Sequence, residues 1–440
     1  MNSGFLTDKV RPARAAATRM DNETYRIRVE DLFRELVVED GTVDEEVRAQ
    51  LEQLALLPRK TRYFLRVLND QPTEVQVPFY RLILSRVKDK DFYGELERHI
   101  RHRFYEARDQ IKEILGQLAD SEAVPALMHV IALTDEGWLA GELIRIVLSY
   151  DPEILRDPVE QALHSGDYQL QCLGIYLAGK SKSDPLLDVL AQFYRRPFGE
   201  KLDRLERKSY DALMEGVEGA SDGLMLRWLR DSSARVRELG VVAAARRRLK
   251  ASVADLVRLV LVDAKTRSRA AQTLLDFEEE GLLEFSPTDE GGAAVQEILT
   301  TAKREPLINT LKDLTREESG AVREVVAKMI RLLPDAGALA GALVRVAVED
   351  RQRSVQLAAL ETLAQIDQER FMDAAADVMA ETAGALQPEV AEGLERLVAA
   401  TLSKAQQAEL EAETERRRRK REEALEKFAG TIESWRHDLE

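Results

Sequence analysis

Five histidines and a single cysteine are the side chains best suited to metal binding or nucleophilic catalysis, and their spacing supports neither. His99 and His102 stand three apart, so a helix would carry them on one face, where two neutral imidazoles could begin a metal site. Arg98, Arg101 and Arg103 crowd the same turn. Their charges repel a dication, and no neighbouring carboxylate pair completes a ligand set. Cys172 sits in the apolar run Leu170-Gln-Cys-Leu-Gly-Ile-Tyr176, so a core thiol is expected there. The chain has no phosphate-cradling glycine loop and no nucleophile elbow. Carboxylates are plentiful, but spacing alone selects no acid–base pair. The expectation is no catalytic residue, no metal and no cofactor.

Binding residues are easier to find. Residues 58–108 hold twelve Lys or Arg against seven Asp or Glu, a surplus of five inside a chain of net charge −15. Four aromatic doublets interleave them: Tyr63-Phe64, Phe79-Tyr80, Phe92-Tyr93 and Phe104-Tyr105. Arginine beside exposed aromatic rings suits phosphate, nucleic-acid or protein contacts. Arg62, Tyr63, Arg81, Arg98, Arg101 and Arg103 are therefore candidate partner-binding residues, with one ring of each doublet expected in the core. A second candidate lies near the C-terminus, where Leu425, Phe428, Ile432, Trp435 and Leu439 recur at spacings of three and four, a short heptad stripe. Phe428, Ile432 and Trp435 would be its contact residues. The preceding Arg416–Arg421 run is matched by Glu413 and Glu415 at i, i+4 spacing, which reads as a solvated helix face. The acidic balance argues against general nucleic-acid affinity, leaving a protein as the expected partner.

These residues sit on a repeated framework. Arg237 has Asp231 six residues before it, Arg269 has Asp263, Arg323 has Glu317, and Gln356 has Asp350. The step from 237 to 269 is 32 residues and from 323 to 356 it is 33. The pattern resembles the HEAT repeat, including the variety named for phycobilin lyases, over about residues 40–400. The resemblance implies an α-solenoid with a ladder in which an acidic residue at each turn meets an arginine of the adjoining helix. Asp231, Arg237, Asp263, Arg269, Glu317 and Arg323 would form it. It is degenerate where Gln, Gly or Cys replaces Arg, as when stepping back to Cys172, Gly141 and Gln76. The resemblance also implies protein binding along the array. HEAT-fold deoxyhypusine hydroxylases bind iron through His-Glu pairs, and this chain contains no His-Glu dipeptide. Two other functions attach to the resemblance: a nucleic-acid protein like the HEAT-like alkylpurine glycosylases, using residues 58–108, and a bilin lyase-type chaperone.

The elements that must position all this are helices. Ala, Leu, Glu and Arg dominate, and apolar residues recur at three and four, as at Val47, Leu51, Leu54 and Leu57. The expected fold is all-α, a superhelical solenoid of about ten stacked hairpins with a long C-terminal helix. At 440 residues the chain exceeds what one compact core supports, a limit that a solenoid escapes by burying each hairpin only against its neighbours. Expected boundaries are a disordered basic arm at 1–22, the solenoid at 23–402 with an irregular loop near 278–292, and a charged helical extension at 403–440. No apolar run reaches the ~18 residues of a membrane span. One cysteine and no secretory h-region suggest a cytoplasmic protein.

Overall fold

The computed structural model describes residues 20–36, 43–57, 59–86, 90–119, 122–198, 203–381 and 388–437, with side chains left aside at 90, 91, 381, 388–391 and 428–437. The described residues contain no β-strand. The expected basic arm lies almost wholly outside them. Two compact units divide the chain, residues 1–221 and 222–440.

In the first unit, α1 (Asn22–Glu35), α2 (Glu45–Ala55), α3 (Thr61–Leu68), α4 (Thr73–Arg86), α5 (Lys90–Glu106) and α6 (Arg108–Gly116) come first. They are followed by α7 (Val124–Leu133), α8 (Gly137–Leu148), α9 (Pro152–Leu163), α10 (Tyr168–Ser181), α11 (Asp184–Arg195) and α12 (Asp203–Gly216). Odd-numbered helices pack on odd and even on even, while successive helices cross between the two rows. This is a two-layer stack of hairpins, an α-solenoid. Aspartates start several helices: the carboxylates of Asp21, Asp44, Asp151 and Asp167 accept first-turn backbone N–H groups, and Pro152 supplies a preset φ behind its cap.

The second unit comprises α13 (Asp222–Leu229), α14 (Ala234–Arg247), α15 (Val253–Val262), α16 (Arg267–Glu279), α17 (Glu290–Thr301) and α18 (Arg304–Leu314). It continues with α19 (Gly320–Ile330), α20 (Ala340–Glu349), α21 (Arg353–Ile366), α22 (Gln368–Glu381), α23 (Pro388–Thr401) and α24 (Lys404–His437). One row runs α14, α16, α19, α21, α23; the other runs α13, α15, α17 and later α20, α22, α24. The odd–even alternation therefore slips once, after α17. The chain between α16 and α17 is a packed plug: Leu283 and Phe285 are buried, and Arg331 Nε donates to the Phe285 carbonyl at 2.6 Å. Asp289 accepts from the backbone N–H groups of Glu284 and Gly292, closing the plug onto the start of α17. A Cβ at Gly292 would lie 2.0 Å from the Ser286 carbonyl oxygen, so only glycine fits there. Gly240 plays the same part between α14 and α13, where a Cβ would lie 2.7 Å from the Leu229 backbone nitrogen.

The ladder is paired differently from the expected Asp231/Arg237, Asp263/Arg269 and Glu317/Arg323: each rung arginine meets the acidic residue of the next hairpin, and one arginine is exchanged. Arg237 Nη1 donates to the carbonyls of Asp231 and Ser232 at 2.8 and 2.9 Å, and its Nε reaches Asp263 Oδ2 of the next hairpin at 2.7 Å. Arg323 repeats this, clamping the carbonyls of Glu317 and Glu318 at 2.6 and 2.8 Å while its other nitrogens hold Asp350 at 2.6 and 2.9 Å. Between them the rung is Arg267, not Arg269: Arg267 Nε donates to the Val260 carbonyl at 2.8 Å and Nη1 meets Glu317 Oε2 at 3.3 Å. Arg269 points elsewhere, to exposed Glu238 at 2.7 Å. The reason is phase. Arg237 and Arg323 are fourth residues of their helices, whereas α16 begins at Arg267 and leaves Arg269 third, about a hundred degrees off.

The glutamines that replace arginine keep half of its work. Gln76, Gln171 and Gln407 are also fourth residues, and each Nε2 donates to turn carbonyls behind it: Asn69 and Gln71, Leu163 and Ser165, and Leu402. They clamp their own turn but lack the reach and charge to hold the next one. Cys172, one position past Gln171, is half-buried rather than a core thiol.

The C-terminal helix joins the stack. α24 packs on α22, with Leu410 and Thr414 buried and Arg417 held at 2.8 Å by both Asp373 and Asp377. Leu425 is exposed, and the backbone of α24 continues through Phe428, Ile432 and Trp435, whose side chains are outside the described residues.

Candidate partner-binding surface

The turn Thr134-Asp135-Glu136 that opens α8 brings one carboxylate to the ends of three side chains. Glu136 accepts from Trp138 Nε1 at 2.5 Å, Arg101 Nη1 at 3.1 Å and Tyr105 Oη at 3.2 Å. Those bonds, the one from Trp138 above all, hold its carboxyl below the ordinary carboxylate range despite some burial. Arg101 also faces Glu97 at 3.7 Å, and Thr134 Oγ1 donates to Glu97 at 2.8 Å, so the network is anchored in α5 and in the turn. Phe104 is buried beneath, edge-on to Trp138 with ring centroids 6.2 Å apart. Tyr105 and Trp138 meet at 62° and 5.2 Å, yet remain 68% and 42% exposed. Their polar tips are satisfied, and much of each side chain is open to solvent. Two rigid aromatic side chains in fixed rotamers offer a partner large contact area at little ordering cost.

A second cluster adjoins it. Glu142 lies one turn beyond Trp138 on α8, nearly buried, and receives Lys112 at 2.6 Å, Arg108 at 2.7 Å and Arg145 at 2.9 Å. These contacts, the Lys112 hydrogen bond foremost, keep Glu142 ionised below its usual range.

Of the residues expected from the sequence, only Arg101 belongs to this surface. Arg103 is a core residue: it is 7% exposed, and its Nη2 donates to Gln110 at 2.6 Å. Arg62 lies over the Tyr63 ring at 4.6 Å, and the Tyr63 hydroxyl also accepts from Asn22 of α1. Arg81 donates to the Gln117 carbonyl, and Arg98 to the Gly94 carbonyl of its own helix. The two histidines part ways, His99 half-buried against Tyr80 and His102 exposed beside Glu106. The doublets also divide unevenly. Phe79-Tyr80 and Phe92-Tyr93 bury both rings; Phe64 is buried with Tyr63 half out, and Phe104 is buried with Tyr105 exposed. Sequence reasoning missed Trp138 and Glu136. Their signal was an acidic residue and a large aromatic straddling the first helical position, where an apolar ring has no neighbour turn to cover it.

Stacked hairpins in two rows, with fixed aromatics on the rim, define a helical-repeat solenoid. Solved structures similar to this chain include human deoxyhypusine hydroxylase in complex with glycerol, at 14% identity over 65% of this chain and 98% of that one, TM-score 0.24. Kap121p bound to RanGTP matches at 12% identity over 87% of this chain and 50% of that one, TM-score 0.33. She4p matches at 12% identity over 89% and 64%, TM-score 0.33, so the chain spans only part of the latter two proteins. No family model and no curated protein matches the chain. No described helix is long and apolar enough to cross a membrane.

Proposed function

We propose that this protein is a non-catalytic scaffold that docks a protein partner on the rim formed by α5, α6 and α8. One observation carries the reading: Tyr105 and Trp138 stay open to solvent while a single carboxylate fixes both polar tips. An aromatic pair held this way has no role in its own core. The C-terminal stripe is a second contact of the same kind, because α24 runs on past its docked section with Leu425 exposed. One cysteine fits a reducing, cytoplasmic setting.

The test uses the full chain as bait in native lysate. The parent retains a stoichiometric protein that Tyr105→Ala/Trp138→Ala does not, while circular dichroism of the two baits coincides. Equal recovery by parent and double variant would remove the aromatic pair from the interface.

A further inference from the structure

The chemistry of the partner can be read from the charges beside the aromatic pair, an inference that rests on the docking role just proposed. Arg108, Lys112 and Arg145 converge on one carboxylate, so three positive charges meet one negative and a surplus of two remains. Elsewhere on this rim the count is balanced or acidic: Arg101 is already matched by Glu97 and Glu136. Arg145 and Arg108 are 71% and 56% exposed; one nitrogen of each is spent on Glu142 and the Arg145 Nε on the Gly141 carbonyl, which leaves the other Nη groups for a ligand. Helical spacing sets Glu142 one turn after Trp138 on α8, and the contacts of Arg108, Lys112 and Arg145 with Glu142 bring the cluster to that side of the ring.

We infer that this rim takes an acidic protein segment, an extended Asp/Glu-rich stretch carrying one aromatic or large apolar residue. The ring pair receives the apolar side chain, and Arg108 and Arg145 receive flanking carboxylates, a geometry that guanidinium groups satisfy with paired N–H bonds. Nucleic acid fits less well. A duplex presents roughly one negative charge per 1.7 Å, about twice the density of an extended acidic peptide at ~3.4 Å per residue, so more unneutralised charge would face a chain of net charge −15.

The design of the test follows from the pairing. Arg108→Gln/Arg145→Gln removes the two surplus charges and leaves Lys112 on Glu142 at 2.6 Å, so the buried carboxylate keeps its partner. Fluorescence anisotropy with the full chain compares three labelled probes: Glu-Asp-Glu-Trp-Glu-Asp-Glu, its amide analogue Gln-Asn-Gln-Trp-Gln-Asn-Gln, and a single-stranded oligonucleotide of similar length. At low salt the acidic peptide is expected to bind about tenfold tighter than the amide analogue, and the gap to close as salt rises. In the double variant the two peptides are expected to bind alike. Equal binding of both peptides to the parent, a gap that survives in the double variant, or tighter binding of the oligonucleotide would each overturn the inference. The docking role is scored separately by Tyr105→Ala/Trp138→Ala. If that change weakens both peptides while acid preference is absent, only the acidic partner is lost; if it weakens neither, the aromatic anchor fails as well.

Discussion

His99 Nε2 lies 2.8 Å from the Tyr80 hydroxyl, with Tyr80 buried and His99 half-buried. Burial, then the charges of Arg103, His102 and Arg66, lower the His99 pKa from 6.5 to about 4. Burial likewise pushes the Tyr80 hydroxyl upwards. Arg103 deepens the effect, since the described residues give it no carboxylate and leave its buried Nε without an acceptor. The folded chain thus binds this proton less readily than the unfolded one. Stability from His99 is complete above about pH 6.5 and drains as pH falls towards 4. Between about pH 7 and pH 5 the loss should be about 2 kcal/mol. Urea unfolding of the parent should show it, and His99→Gln, which keeps a hydrogen-bonding tip but cannot titrate, should flatten it. A variant with the parental slope over that window would assign the pH response to other groups.

Between helices, the ladder sorts arginines that look alike in the chain. Arg323 and Asp350 are both nearly buried. Burial is the largest influence on the Asp350 carboxyl and raises it, but the hydrogen bonds and charge of Arg323, together with the Gln352 and Arg351 backbone N–H groups, hold it below its ordinary range. Arg323→Ala leaves that carboxylate buried with the Gln352 backbone N–H at 2.9 Å, and should cost about 3–5 kcal/mol. Arg269→Ala breaks an exposed pair and should cost less than about 1 kcal/mol. Denaturant midpoints of the two variants decide the matter, and equal shifts would dissolve the distinction between rung and surface pair. The all-helical solenoid was legible because apolar periodicity and Asp-led turns are local signals. The choice of Arg267 over Arg269 was not, because it depends on the residue at which α16 begins. Nor could Gln76 or Gln171 be recognised as clamps, since their acceptors are backbone carbonyls of the preceding turn, a geometry that spacing cannot show. The stretch after α16 looked like a loose excursion because Gly, Pro and acidic residues fill it, yet Leu283 and Phe285 turn it into core. Trp138 escaped notice for the opposite reason: a lone tryptophan in an apolar helix reads as core until its exposed face is seen.

Over the whole molecule, two units each build their core by stacking, so each helix is covered chiefly by its row neighbours. The last covered helix in one row needs a lid, and the docked section of α24 lies over α22. A chain stopped after Ser403 should melt at a lower temperature than the parent and scatter light on heating. One stopped after Glu423 keeps Leu410, Thr414 and Arg417 in place and should melt as the parent does. Parental melting of the shorter form would show that α22 needs no cover. The rungs add a mechanical consequence. Arginine ties between consecutive hairpins follow one another from Arg237 to Asp350, whereas Gln76 and Gln171 leave their turns untied to the next. Pulled lengthwise, the arginine-riveted hairpins of the second unit would yield as a block rather than one by one.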